Sequence, residues 1–173
     1  MVALADSIGR IVAYREVEGR LFEVLGGWVP DTSEPRAKLL LARHSHHHGE
    51  RAGLWDRHLA LDGAPPPAPG GDGHGPFEAE WSSFLAGPVV ASSGESAGPD
   101  PTAERLAAVY RGVLPALLAV YGSHLDEADP VCDEPVARTL RAVVAGARRD
   151  LDEGEALIRE GSGRPRGPDA PGR

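Results

Sequence analysis

The chain has one cysteine, Cys132, and one lysine, Lys38. A single cysteine forms no internal disulfide and no cysteine-based zinc site. Asp133 and Glu134 follow it directly and disfavour a thiolate, so Cys132 reads as inert rather than nucleophilic. Aromatic residues make up only 5% of the chain, so a core must be filled by aliphatic residues and alanine. Acidic residues outnumber basic ones and the net charge is -8. Nucleic-acid binding needs a basic field that displaces counterions, and docking on an anionic membrane needs a polybasic patch; neither is expected. No apolar run approaches the ~20 residues of a membrane helix. The start MVALADSIGR has no apolar stretch behind a basic one, so no secretory signal is expected. A cytoplasmic protein is the expectation.

Catalytic signatures are also missing. Ser45, Ser82 and Ser83 lack the context of a nucleophile elbow. GGDGHG at 70–75 has neither a preceding strand nor a GKS ending, which excludes a phosphate loop. No strand alternation and no internal repeat is visible.

What is present is helical periodicity. At 173 residues and 41% apolar, the chain fits one domain over 1–161, with a Pro/Gly-rich tail at 162–173 expected to be disordered. The first helix is predicted from Leu4 to Gly26, with Leu4, Ile8, Ile11, Arg15, Glu18, Phe22 and Leu25 as its inward stripe and Gly26-Gly27 as its end. The second starts near Ser33 or Glu34, with Ser33 as cap and Pro35 in the first turn, and stops near Asp62-Gly63. The third opens on Asp100-Pro101 and carries Leu106, Tyr110, Val113, Leu117 and Tyr121 inward; Pro115 should kink it. The fourth is capped by Asp133 and carries Val136, Leu140, Val143, Ala147, Leu151, Gly154 and Ile158 to Gly161. Helices one and two are joined by a short turn, as are three and four. Between two and three lies 62–99, dense in Pro and Gly, with room for one short helix around Phe77, Trp81, Phe84 and Leu85. Short–long–short is the connectivity of an all-α four-helix bundle with one long crossover, the ferritin-like arrangement.

Bundles of that type bind two metals through Glu-x-x-His pairs, because i and i+3 aim at one ion. No glutamate here has a histidine three residues later; the nearest motif is reversed, His47 to Glu50. RHSHHHGER at 43–51 nevertheless holds four histidines. On a helix His44 and His48 share a face, His47 adjoins it, and His46 points away. Ser45 stands where a metalloprotease has glutamate. The candidate ligands are therefore Glu18, His44, His48 and Asp150, one inward polar layer with a His/carboxylate mixture suited to iron, zinc or manganese. Tyr110 and Tyr121 are candidates for positioning a substrate, and His124 falls one turn after Tyr121. The alternative is a metal-free polar layer in which Arg15 or Arg51 neutralises Glu18 or Asp150, since buried charges need partners. The run Arg148 to Glu155 reads as a solvated face.

At RHSHHHGERAGLW, YRGVLP and DPVCDEPV the chain resembles a little-characterised bacterial family of ferritin-like four-helix-bundle proteins. The matching residues are His44, Ser45, His47 and His48; Tyr110, Arg111, Leu114 and Pro115; and Pro130, Val131, Asp133, Pro135 and Val136. The family pattern is more acidic and His-rich where this chain has Arg51, Gly53, Gly146 and Ala147. The resemblance implies a retained bundle with fewer ligands. Two functions follow as expectations. One is a bundle with a core metal site, iron first and zinc or manganese next, that oxidises or hydroxylates a small molecule. The other is a non-catalytic accessory or interaction protein with no cofactor, whose partner is another protein. A homodimer is compatible with either.

Overall fold

The computed structural model describes residues 4–61 and 101–162, which form four helices and no strand. They are α1 (Leu4–Trp28), α2 (Pro35–Leu61), α3 (Thr102–Glu127) and α4 (Glu134–Ser162). The expected 62–99 connection, the Asp100 cap and the 163–173 part of the tail lie outside the described residues.

α1 runs two residues past its expected end, through Gly26-Gly27 to Trp28. Glycine only permits a stop; here tertiary packing carries the helix on. Trp28 is buried under the Arg105 guanidinium, 5.3 Å above its ring. Gly26 serves close approach instead, since a Cβ there would sit 3.1 Å from the Ser45 hydroxyl, which donates to the Phe22 carbonyl. The inward stripe is also rotated from the expected one. Ile11, Glu18 and Leu25 are buried, but Tyr14 and Leu21 take the places expected of Arg15 and Phe22. Phe22 is 49% exposed and Arg15 pairs with Asp56 at 2.8 Å. Both sets obey i+3/i+4 spacing, and the apolar one wins because burying a large apolar side chain contributes about 1.5–3 kcal/mol.

At the start of α2 the cap is Glu34 rather than Ser33. Its carboxylate accepts the Ala37 N–H at 2.5 Å, and its carbonyl takes the first helical bond from Lys38. α3 begins one residue later than expected, with Pro101 before Thr102. Its expected stripe is buried throughout. Ahead of Pro115, Ala108–Val113 widens into a π-helical turn. Pro115 has no N–H to offer the carbonyl one turn back, so the ladder rearranges upstream of it. Asp133 precedes α4, but its carboxylate reaches back to the Asp129 N–H at 2.9 Å, while its carbonyl accepts the Ala137 N–H.

Side-chain pairs fix the directions. Arg10 meets Glu127 and Tyr14 meets His124, so α1 and α3 are antiparallel. Arg36 meets Glu160 and His58 meets Thr139, so α2 and α4 are antiparallel. His44 packs on Tyr110 and Trp55 on Tyr121, so α2 and α3 run parallel. Leu61 and Thr102 consequently stand at opposite ends of the bundle. α3 is, among the described helices, long and apolar enough by length and composition to cross a membrane, against the expectation of no such run. Its Leu106, Val109, Val113, Leu114 and Leu117 are members of the bundle core.

Candidate metal centre

All six residues singled out by spacing are buried: Glu18, His44, His48, Tyr110, Tyr121 and Asp150. They do not converge on one point. Arg51, buried with them, divides them into two groups.

The first group lies between α1, α2 and α3. His48 Nδ1–H donates to Glu18 Oε2 at 2.5 Å, and the Tyr121 hydroxyl donates to Glu18 Oε1 at 2.7 Å. Arg51 Nη1 stands 3.9 Å from Glu18 Oε2 and 3.4 Å from His48 Nδ1. Nδ1 has one proton or one lone pair, so while it donates to Glu18 it accepts nothing from Arg51. Glu18 is thus held by an imidazole, a phenol and a guanidinium. Burial first, then the Glu18 charge, pushes the Tyr121 phenol well above its ordinary range, so it stays a neutral donor.

The second group lies in the α2–α4 seam. Arg51 Nη2 is paired with Asp150 Oδ2. Asp150 Oδ1 faces His47 Nδ1 at 2.8 Å and His44 Nε2 at 3.6 Å. Glu153, one turn along α4, reaches His44 Nε2 at 3.2 Å and is also paired with Arg43. The His44 and His47 rings lie side by side, 5.6 Å apart with 24° between their planes. Burial alone would raise the Asp150 carboxyl; the Arg51 guanidinium, His44 and the hydrogen bonds from Arg51 and His47 outweigh it and hold it below the usual range. His44 is held low chiefly by burial, against the pull of Asp150 and Glu153, so its imidazole is neutral at pH 7.

His44, His47 and Asp150 each offer a ligand atom within 4.8 Å of the other two. Two ligand atoms at about 2.1 Å from one tetrahedral ion stand roughly 3.4 Å apart. The 2.8 and 3.6 Å contacts at Asp150 Oδ1 bracket that spacing. Asp150 can offer Oδ1 while Oδ2 stays on Arg51, and Glu153, which touches His44 Nε2, lies outside this three-residue cluster. A neutral imidazole has one N–H. With Nε2 donating to Glu153, His44 Nδ1 accepts from the Tyr110 hydroxyl, 2.7 Å away. Were Nε2 to give its lone pair to a metal, Nδ1 would carry the proton and donate to the same phenol oxygen. Burial keeps Tyr110 far above the ordinary range, so it remains a phenol able to play both parts. Gly154 fixes it: a Cβ there would lie 2.2 Å from the Tyr110 ring.

His44 and Asp150 thus stand together as expected, whereas Glu18 and His48 stand across Arg51. His47, expected to adjoin the inward face, completes the cluster; its side chain is 35% exposed and opens it to water. Glu153 was hidden in what reads as a solvated charge run. The signal that finds both is a doubled spacing, His44-x-x-His47 on α2 and Asp150-x-x-Glu153 on α4. A cavity of about 580 Å³ lies elsewhere, at the bundle end formed by Ala37, Leu106 and Ile158, and no residue of either group lines it.

No protein-family model, curated protein or solved structure matches this chain.

Proposed function

We propose that this chain is a ferritin-like four-helix bundle that holds one transition-metal ion on His44, His47 and Asp150 and uses it to oxidise or hydroxylate a small molecule. One observation carries the reading, the gathering of these three ligand atoms in the α2–α4 seam, with His47 partly exposed. Two imidazoles and one carboxylate with open positions suit non-haem iron(II), with zinc and manganese as the other candidates. The bundle type is supported by the parallel run of α2 and α3, which calls for a connection spanning the bundle, as in ferritin-like folds. The resemblance noted in the three sequence segments points the same way.

The second reading, a metal-free accessory or interaction protein, is favoured by Arg51, which already neutralises Asp150. Metal analysis of untagged, dialysed protein separates the two. The expected result is near-stoichiometric iron, zinc or manganese, lost in a His44→Ala/His47→Ala variant that still folds. No bound metal, and no uptake of iron(II), zinc or manganese on titration, would leave the accessory reading.

A further inference from the structure

Each of the chain's three tyrosines is buried with its hydroxyl on a proton acceptor: Tyr14 on His124 Nδ1 at 3.1 Å, Tyr110 on His44, and Tyr121 on Glu18. Tyr14 and Tyr121, with Trp55, also form one ring cluster. The Tyr14 and Tyr121 centroids are 4.8 Å apart at 82°, Tyr14 and Trp55 5.3 Å, and Trp55 and Tyr121 6.0 Å. Leucine or phenylalanine would fill such a core without burying polar atoms. Trp55 Nε1 makes no well-formed hydrogen bond among the described residues, and its indole lies against the Tyr121 phenol.

We propose that Tyr14, Trp55 and Tyr121 form a one-electron relay, which passes an oxidising equivalent through the bundle core by proton-coupled oxidation of the two phenols. This rests on the ring geometry and holds whether or not a metal binds in the α2–α4 seam. The co-reactant is a one-electron outer-sphere oxidant. At Tyr14 the electron goes to that oxidant, the phenolic O–H bond breaks, and the proton passes to His124 Nδ1. The products are a neutral tyrosyl radical, an imidazolium and the oxidant reduced by one electron. Burial first, then Arg10, holds His124 below its ordinary range, so the accepting lone pair is free at neutral pH. At Tyr121 the proton passes to Glu18 in the same way. The three rings touch, so an electron from one phenol can refill the hole on the other, directly or through the indole. Burial keeps the radical from water and from other chains.

The test is flash oxidation of the full, chelator-treated chain by photogenerated tris(bipyridine)ruthenium(III), read by electron paramagnetic resonance and transient absorption. The expected product is a neutral tyrosyl radical that persists. In Tyr14→Phe/Tyr121→Phe the long-lived signal is lost, because both phenols of the ring cluster are gone. Tyr110→Phe leaves it unchanged. Trp55→Phe keeps both phenols and slows the spread of the hole between them. The single variants Tyr14→Phe and Tyr121→Phe carry the same test if the double variant does not fold. An equal lifetime in the variants lacking Tyr14 and Tyr121, or loss of the signal in Tyr110→Phe, overturns the relay, and unchanged kinetics in Trp55→Phe overturns the part given to the indole.

Discussion

Arg51 separates two polar groups built from the same residue types on different terms. On the α1/α3 side, Glu18, His48 and Tyr121 are sealed, with every exposure at 1% or below, and the carboxylate meets donors from two other helices, α2 and α3. On the α4 side, Asp150 has similar partners, but His47 and Glu153 bring the group to the surface. A sealed carboxylate held by donors from its neighbours is a structural element, because burial leaves an incoming ion no route to it. A carboxylate beside two imidazoles, in a seam that the partly exposed His47 opens to water, is a candidate site, because both rings can aim a lone pair at an ion placed between them. The same chemistry becomes scaffold or site according to access.

The largest way to break the comparison is to remove the divider. Arg51→Met leaves Asp150 and Glu18 without their shared cation, and removing one partner of a buried ion pair costs about 3–5 kcal/mol. Urea unfolding measures it. The loss should shrink when Glu18→Gln and Asp150→Asn are added, since the two buried charges are then gone. A loss below about 1 kcal/mol, the range of an exposed pair, would mean that the two groups do not share Arg51.

Gly154→Ala comes next. The added methyl meets the Tyr110 ring, and overpacking of this kind costs about 1–3 kcal/mol, partly offset by the roughly 1 kcal/mol that alanine gains over glycine in a helix. The effect is lopsided: Tyr110 moves off His44, so metal affinity falls about 10–100-fold as in other losses of a ligand's hydrogen-bond partner, while the Glu18 group is untouched. Isothermal titration with zinc checks it. Unchanged affinity in a folded Gly154→Ala protein would remove Tyr110 from the centre.

The faces of the helices were legible in the sequence, and their rotation was not. Glu18, His44, His48, Asp150, Tyr110 and Tyr121 fall on inward stripes because apolar residues at i+3/i+4 mark the face that leaves water. Which of two adjacent residues points at which neighbour depends on rotations finer than the about 100° between successive residues. His47 and His48 differ by that step, and it sends one to Asp150 and the other to Glu18. The same ambiguity exchanged Arg15 and Phe22 for Tyr14 and Leu21 in α1. Glu153 was unreadable because a half-exposed glutamate in a charged run has the pattern of a solvated face, and only the opposing Arg43 and His44 give it a task. Gly26-Gly27 and Ser33 show that local termination and capping rules yield when tertiary contacts or a neighbouring carboxylate do better.

Acid offers a milder probe of both sides together. His44 and His124 are held below their ordinary value in the folded chain, one on each side of Arg51. Above about pH 6.5 both states carry neutral imidazoles, and these groups give no slope. Below it the unfolded chain takes up protons that the folded chain refuses, so stability falls with pH, by up to about 1.4 kcal/mol per unit for each group. Asp150, held low, adds a further loss as pH drops below about 3.9, the value it has when unfolded. Urea midpoints from pH 7.5 to 5 measure the first window. His124→Asn should remove the contribution of one side alone, and a midpoint independent of pH there would contradict the burial of both imidazoles.

The smallest effect on stability is the sharpest on the comparison. His47 is the partly exposed member of the cluster, so water can replace its hydrogen bond to Asp150, and His47→Ala should cost no more than about 1 kcal/mol. Its contact with Asp150 does not keep that carboxylate charged unaided, because Arg51 stays in place. Metal binding needs the imidazole itself, and losing one of three protein ligands should abolish near-stoichiometric uptake. His48→Ala, one residue along, should do the reverse: it strips a donor from sealed Glu18 and costs about 1–3 kcal/mol, while His44, His47 and Asp150 keep their ion. Thermal melts paired with metal titration of the two variants read both quantities. If His47→Ala destabilises as much as His48→Ala, or if both lose metal alike, then the two groups are one site and Arg51 divides nothing.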